Sequence, residues 1–442
     1  MLSLRMMGGD HKNNCHKGSQ DPFFMLYNNH INARRPLTLT LRPHQQRALD
    51  ALLTASIGRV TIPTGGGKTL VMIEDVKRRL IAAETAQTVV IVAPRILLAV
   101  QLYEEFWSAL NGTVDAATMH VHSGEVDCTS TTKIQQIQCH AGVCAAAGVH
   151  QLIFTTYNSL RRINEAGIDV DYIYYDEAHN SVRRDFFKEV AIASLTAKNA
   201  YYFTATPKYR GGAISMNNTD VYGSELISVP APELINNGSI IPPTILPHVV
   251  DLERNKNLAA AENDREVLVD IINKLDDDAA QKILVAAPNT RGLWALLSGT
   301  SVMQEFADKG YDVLHITSKH GAYVNKTKVG RQEFFDTVDA WGKDPNRKFI
   351  MFHYSILSEG INVPGLTHTI LLRNLPVIEM AQTIGRVIRL DKRDAADIAE
   401  GKLTPGACQF YRKRTGFVTV PVFTNYGKQT EKRLQRVVDS IF

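Results

Sequence analysis

Three consecutive glycines in the segment PTGGGKTL, residues 63–70, constrain this chain more than any other feature. Glycine has no Cβ, so a run of glycines lets the backbone fold back with several N–H groups pointing inward. A concave row of N–H groups binds anions. The apolar residues that follow recur at helical spacing, which places the positive end of a helix dipole at the same point. The segment therefore predicts a loop that binds the phosphates of a nucleoside triphosphate.

Each position of this loop has an expected contact. We expect phosphates to bind the backbone at Thr64, Gly65, Gly66 and Gly67. The Lys68 ammonium is placed to reach the β- and γ-phosphates, and the Thr69 hydroxyl is placed to hold Mg²⁺. The alternative is a glycine-rich turn with a chance Lys-Thr pair. We therefore expect ATP and Mg²⁺ as cofactors.

A second motif, DEAH at residues 176–179, follows the strand-like run VDYIYY at residues 170–175. A carboxylate at the tip of a strand beside the loop strand can hold the Mg²⁺ that bridges the β- and γ-phosphates, which fits Asp176. Glu177 can orient and deprotonate the attacking water. The alternative is a solvated acidic turn. The motif favours ATP hydrolysis over simple binding.

With these motifs and others in the same order, the chain resembles the superfamily 2 DEAH-box DNA helicases. It is similar to phage UvsW-type helicases and to the motor of type III restriction enzymes. The resemblance implies that Gln45, in the segment LRPHQ, reads the adenine edge. The segments VAPR and TTY imply contacts to the nucleic-acid backbone from Pro94, Arg95, Thr155 and Thr156.

The resemblance also covers motifs that couple hydrolysis to movement. It implies such a coupling role for His179, Thr204 and Thr206. In the second half, SEGINVP at residues 358–364 resembles motif V, although the family often has aspartate at the position of Asn362. That match implies that Ser358 contacts nucleic acid and that Gly360 contacts the nucleotide.

Motif VI corresponds to QTIGRVIR at residues 382–389. Phosphoryl transfer needs positive charge on the γ-phosphate oxygens. Arg386 and Arg389 are three residues apart, so on a helix they share a face, which Gln382 joins. A solvated polar face is the alternative. Because the motif lies far beyond Asp176, we expect it in a second folding unit that closes over the nucleotide.

Hydrophobic runs alternate with helix-length segments in both halves, which predicts parallel sheets covered on both faces. The fold class is therefore α/β, and the resemblance implies two tandem RecA-like lobes, each a mostly parallel sheet flanked by helices. We expect an N-terminal extension over residues 1–38, lobe 1 over residues 39–238, and lobe 2 over residues 239–442 with a C-terminal helix. The predicted strands are Thr88–Ala93, Leu152–Thr155, Tyr172–Tyr175, Ala200–Thr204, Lys282–Ala287, Val313–Ile316, Lys348–His353, His368–Leu372 and Val418–Val422.

Composition sets limits on location and partners. The 442 residues exceed what one core usually supports, and the net charge of +4 would not repel an anionic partner. No run of 18 apolar residues is present and the start does not read as a signal peptide, so we expect no membrane partner and a cytoplasmic location. The resemblance to phage proteins favours a viral origin, hence the host cytoplasm. We expect a monomer.

Cysteine and histidine residues offer a metal site as an alternative feature. They cluster as Cys128, Cys139, His140, Cys144 and His150, but the spacing lacks two close cysteine pairs, so we expect no zinc site. Residues 132–147 favour an alanine-rich helix instead.

Three functions remain open. The first is an ATP-driven helicase or translocase on DNA, and the second is an RNA-remodelling ATPase, because the motifs grip phosphate and sugar more than bases. The third is a nucleic-acid clamp that uses ATP only as a switch. Intact Glu177, Arg386 and Arg389 count against the clamp.

Overall fold

The computed structural model describes residues 41–124, 130–250, 260–275, 280–287, 289–317, 319–354, 363–372 and 375–423, with Lys432, Gln435 and Val438. Its strands form two sheets. We call the first sheet with its helices lobe 1, and the second lobe 2.

Among the described residues, the sheet of lobe 1 has seven strands, all parallel, in the order β3-β4-β2-β5-β6-β1-β7. The strands are β1 (Ile57–Thr61), β2 (Thr88–Ala93), β3 (Ala116–Val121), β4 (His150–Thr156), β5 (Tyr172–Tyr175), β6 (Asn199–Thr204) and β7 (Ser224–Ser228). The helices are α1 (Pro43–Ala51), α2 (Lys68–Ala82), α3 (Ile96–Leu110), α4 (Ile134–Ala147), α5 (Leu160–Ala166), α6 (Arg184–Thr196), α7 (Thr219–Tyr222) and α8 (Ala231–Asn236).

The sheet of lobe 2 has eight described strands in the order β12-β11-β10-β13-β9-β14-β15-β8. The strands are β8 (Pro243–Val250), β9 (Lys282–Ala286), β10 (Asp312–Thr317), β11 (Gly321–Val324), β12 (Thr327–Val329), β13 (Phe349–His353), β14 (His368–Leu371) and β15 (Gly416–Phe423). The helices are α9 (Ala260–Asn273), α10 (Thr290–Gly299), α11 (Val302–Asp308), α12 (Arg331–Lys343), α13 (Val377–Val387) and α14 (Lys392–Ala399). Pairing is parallel except where β11 pairs with β10 and β12.

The predicted α/β fold with two mostly parallel sheets is confirmed, and each predicted strand matches an observed one. The central strands are apolar because helices cover both faces of each sheet: all five residues of β9 and of β13 are buried. The expectation that β5 lies beside the loop strand β1 is wrong. β6 lies between them and pairs with both, so the carboxyl ends of three adjacent strands build the site.

A continuous apolar core joins the two lobes. It includes Leu234, Ile240 and Ile241 of the connecting segment and Ile384 and Val387 of α13. The Ile241 N–H donates to the Ile388 carbonyl at 3.0 Å. The connecting segment contains α8, whose Leu234 side chain packs into this core.

Several other expectations concern the ends of the chain and its cysteines. The N-terminal extension, Ser358 and Gly360 lie outside the described residues. Most of the expected C-terminal helix does too, although Lys432, Gln435 and Val438 are helical. The alanine-rich helix is confirmed as α4, on which burial raises the pKa of the Cys144 thiol to about 11. Within the described residues, no helix has the length and apolar character needed to span a membrane.

Candidate nucleotide site

The glycine loop joins the end of β1 to the start of α2, and its conformation requires glycine. Gly65 and Gly67 have φ angles of 89° and 83°, in the left-handed region that side chains disfavour. A Cβ on Gly67 would lie 2.2 Å from Nε2 of Gln45, and a Cβ on Gly66 would lie 2.4 Å from Cγ2 of Ile62. The loop is thus a cradle: its glycines leave the backbone exposed in a space that side chains would otherwise fill.

Gln45 lies beneath this loop, on the first turn of α1. Its Nε2 donates to the Gly66 carbonyl at 3.2 Å, and its Oε1 accepts from the Arg42 N–H at 2.9 Å. A glutamine amide has two N–H donors and two acceptor lone pairs. One donor and one lone pair therefore remain, which is the pair needed to bind the N6 and N7 edge of adenine.

His44 also holds the loop, and the sequence interpretation missed it. Its Nδ1 accepts from Nδ2 of Asn237 at 2.9 Å, so its Nε2 carries the proton and donates to the Gly66 carbonyl at 2.8 Å. Burial lowers the pKa of His44, which favours this neutral form. An Asn237 contact 193 residues away could not be read from the sequence.

Lys68 and the two carboxylates meet at the mouth of the loop. The buried Lys68 Nζ lies 3.9 Å from Oε1 of Glu177. Burial and the charge of Glu177 raise the pKa of Asp176 to about 7, while Lys68 opposes this rise. A bound cation would favour the ionised form of the Asp176 carboxyl.

Glu177 has an unusual backbone and an unsatisfied oxygen. Its φ of 45° is in the left-handed region, which non-glycine residues adopt mainly at strained or functional positions. Its buried Oε2 has no hydrogen-bond partner among the described residues, although it lies 3.4 Å from Nδ1 of His179. A buried carboxylate oxygen without a partner is costly, so this oxygen is available to accept a proton from water.

The residues expected to couple hydrolysis to movement form one chain of contacts. Nδ1 of His179 and Oγ1 of Thr204 lie 3.1 Å apart, and the Thr206 N–H donates to the same Thr204 oxygen at 3.1 Å. These hydrogen bonds connect the loop that follows β5 to the loop that follows β6. Tyr157, which the sequence interpretation did not single out, donates its hydroxyl proton to the Asp176 carbonyl at 2.9 Å.

The second lobe reaches the glycine loop through α13. A Cβ on Gly385 would lie 2.5 Å from the Cβ of Thr64. Beside this contact is a cavity of about 410 Å³ whose walls come from both lobes. They include Pro63, Thr64, Thr206 and Gly385.

The motif VI residues divide between the helix and the segment after it. Gln382 and Arg386 are buried on α13. Arg389 was expected on the same helical face, but α13 ends at Val387, and Arg389 instead forms a backbone bridge with Ile240. The connecting segment therefore sets the position of Arg389, which the spacing of the sequence could not show.

Two further residues beside Arg389 were missed. Lys413 donates to the carbonyls of Val387 and Arg389 at 2.6 and 2.8 Å, on either side of the end of α13. Burial lowers the pKa of Arg389, and the charge of Glu105 on α3 of lobe 1 partly opposes this.

The lobe 1 residues that were expected to contact nucleic acid differ in their exposure to solvent. Arg95 is exposed, whereas Pro94 is buried. The Thr155 and Thr156 side chains are buried, and their hydroxyls donate to the Val121 carbonyl at 2.8 Å and to Oγ of Ser159 at 3.3 Å. A ligand at this position would reach the exposed Asn158 and Arg161 more easily than the two buried threonines.

These groups fit a magnesium nucleotide. The glycine loop leaves its backbone open to a phosphate. Burial raises the pKa of Asp176 to about 7, and Thr69 is half-buried on the first turn of α2. Hard oxygen donors of this kind suit Mg²⁺, which takes only one or two protein ligands beside phosphate oxygens.

Comparisons with known proteins match part of this chain in sequence and most of it in fold. Residues 38–209 match the family described as type III restriction enzyme, res subunit. No curated protein matches the chain in sequence.

Solved structures share the fold of both lobes. The ATP-dependent Type ISP restriction-modification enzyme LlaBIII bound to DNA has a TM-score of 0.70 and 16% identity, over 92% of this chain and 30% of that chain. A nuclease-deletion mutant of the Type ISP enzyme LlaGI with a DNA substrate mimic has a TM-score of 0.62 and 18% identity, over 91% and 29%. A variant of S. cerevisiae Dbp5 bound to RNA and ADP BeF3 has a TM-score of 0.55 and 13% identity, over 90% and 88%.

This chain spans less than a third of the two restriction-modification enzymes. At these identities the likeness establishes the fold, two tandem RecA-like lobes. The match to the type III restriction enzyme family covers residues 38–209, which lie in and just before lobe 1.

Proposed function

We propose that the chain is an ATP-dependent nucleic-acid translocase or helicase, acting on DNA, in which hydrolysis between the lobes drives strand movement. One observation carries the proposal most directly. The glycine loop of lobe 1 and the arginine-bearing α13 of lobe 2 meet at Thr64 and Gly385, next to an acidic centre. A phosphate bound in the loop would therefore touch both lobes.

Each residue has a proposed role in hydrolysis. Lys68 binds the β- and γ-phosphates, and Oε2 of Glu177 takes the proton of the attacking water. Arg386 and Arg389 stabilise the charge that develops on the γ-phosphate, with Gln382 beside them. Mg²⁺, held by Thr69 and Asp176, would neutralise charge on the phosphate oxygens. Gln45 binds adenine, and Gly360 completes the nucleotide contacts.

Coupling to nucleic acid follows from connected contacts. The hydrogen bonds among His179, Thr204 and Thr206 support a path from the carboxylates to the β6 loop, which lines the cavity shared with α13. We assign the strand contacts of lobe 1 to the loops at Pro94, Arg95, Thr155 and Thr156. Those of lobe 2 are assigned to Ser358.

We place the boundary between lobes at residues 238–239.

DNA is favoured over RNA as the substrate. Two of the structural neighbours are described with DNA or a DNA mimic, and one with RNA. An RNA-remodelling ATPase is the second candidate, because the Dbp5 variant is matched over most of both chains. No nuclease or modification activity of the larger enzymes is transferred to this chain.

One titration tests the proposal. ATPase rates would be measured with single-stranded DNA, duplex DNA, forked DNA and RNA, using Glu177→Gln as the inactive control. We expect DNA to stimulate turnover more than RNA, and the stimulation to fall as salt rises, because phosphate contacts release counterions. Stimulation by RNA alone would favour the RNA motor. No stimulation by either would contradict a nucleic-acid motor.

A further inference from the structure

An exposed aromatic cluster lies on lobe 2. All three tryptophans are within the described residues, and Trp294 on α10 is the exposed one, at 37%. Its ring stacks on His320, with centroids 4.5 Å apart and planes at 14°. Its edge meets His315 and Tyr323, whose own rings stack at 4.7 Å. The Trp294 ring is therefore held in one orientation while part of it stays open to solvent.

The fold brings these rings together from three elements. His315 of β10 is directly opposite Tyr323 of β11, so both side chains lie on one face of the sheet. Trp294 lies in the second turn of α10, which follows β9. Because β9, β10 and β13 are parallel, their carboxyl ends share one edge. β13 also ends at that edge, at His353.

The surroundings of the cluster are cationic. Residues 289–299 and 319–331 contain no aspartate or glutamate but carry Arg291, Lys319, Lys326, Lys328 and Arg331. This contrasts with the whole chain, where 49 basic residues nearly balance 45 acidic ones. Arg291 is one turn before Trp294, and Lys328 is opposite Tyr323 in the hairpin of β11 and β12. All five cations are exposed.

We infer that Trp294, backed by His320, is a stacking platform for an unpaired base of a single-stranded nucleic acid, and that the neighbouring cations hold the phosphates on either side. An aromatic face flanked by cations is the combination with which proteins bind single strands without reading sequence. A duplex cannot use the platform, because its bases are already stacked within the helix. The inference rests on the proposed function and adds to it a site for the unpaired strand.

Paired oligonucleotides isolate stacking from charge. We would compare the affinity of the full-length chain for a dT 12-mer and for an abasic 12-mer with the same phosphates, without nucleotide. The wild type should bind dT more tightly. Trp294→Ala should lose about 10-fold in affinity for dT and little for the abasic strand, whereas Trp294→Phe should keep most of the difference. Lys328→Ala should weaken both strands equally.

A second measurement does not depend on the alanine variant folding. In a Trp107→Phe, Trp341→Phe background, the remaining Trp294 fluorescence should be quenched by dT and not by the abasic strand. Equal quenching by both, or equal affinity of the wild type for both, would overturn the platform. If either result came with intact DNA-stimulated ATPase, the proposed function would stand. Loss of all oligonucleotide binding and stimulation in the wild type would overturn both.

Discussion

Thr64 of the glycine loop and Gly385 of α13 are packed so closely that a Cβ on Gly385 would lie 2.5 Å from the Thr64 Cβ. The two residues belong to different lobes, and the cavity beside them is lined by both. A helix of lobe 2 thus packs on the glycine loop of lobe 1 at a glycine, the smallest residue. Any side chain at this position would separate the arginines of lobe 2 from the loop.

Gly385→Ala should therefore impair turnover more than a single methyl group normally does. The added Cβ must push α13 away from Thr64, and misplacing catalytic groups by about 1 Å can cost roughly 10²-fold in rate. ATPase kinetics would show this as a lower kcat. Gly142→Ala is the matched control, because Gly142 is also on a helix and a Cβ there would meet no atom within 4 Å. Equal kcat values for both variants would contradict a catalytic contact at Gly385.

The carboxylates predict a separation of binding from hydrolysis. Glu177→Gln should retain ATP while turnover stops, because an amide can hold water but cannot accept its proton. Lys68→Ala should weaken nucleotide binding as well, because it removes the buried ammonium at the loop. Equilibrium binding of a labelled nucleotide and steady-state ATPase rates would separate the two effects. Wild-type turnover in Glu177→Gln would rule out Glu177 as the base.

Arg389 predicts a loss of rate that depends on lobe 2. Arg389→Ala should lower kcat by about 10² or more, because it removes a charge that we propose to act in the transition state. Binding to DNA without nucleotide should change little. A fragment ending near Gly238 should hydrolyse almost no ATP. Nucleic-acid-stimulated turnover by that fragment near the full-length rate would refute the two-lobe mechanism.

We predict that Lys413 helps to position Arg389. Lys413→Met removes the donor to the Val387 and Arg389 carbonyls, so the end of α13 should loosen. We expect a lower kcat with little change in KM, since Lys413 contacts no substrate in this scheme. Arg414→Met is the matched control, because Arg414 is a neighbouring exposed cation. An equal effect of both substitutions on kcat would indicate general charge loss instead of positioning.

The sequence predicted what depends on local pattern. The glycine loop, the strand before Asp176 and the alternation of strands and helices all rest on spacing along the chain, and the structure matches them. What it could not predict depends on distant residues. The order of β1, β6 and β5, the His44 contact to Asn237, and the place of Arg389 against Ile240 are set by tertiary packing. The pairing of Trp294 with His320 likewise joins segments separated by helix α11 and strand β10.

Buried histidines predict that lobe 1 is sensitive to acid. His120 on β3 is 3% exposed and is packed against Tyr103, His122 and Phe154. Burial, and then the charge of His122, lowers the pKa of His120 to about 4. A histidine in an unfolded chain has a pKa of about 6.5, so protons favour the unfolded state. The stability from neutral His120 should be complete above about pH 6.5 and be lost as pH falls towards 4.

His120→Phe should remove this sensitivity while keeping the ring stacked on Phe154. The shift in pKa corresponds to about 3 kcal/mol in the free energy of unfolding at the acidic end. Urea unfolding midpoints, followed by circular dichroism from pH 7.5 to 4.5, would measure it. At pH 7.5 His120 is neutral in both states, so there the comparison reports packing alone. As pH falls, the midpoint of the wild type should drop further than that of His120→Phe, and parallel curves would show that His120 does not titrate with folding.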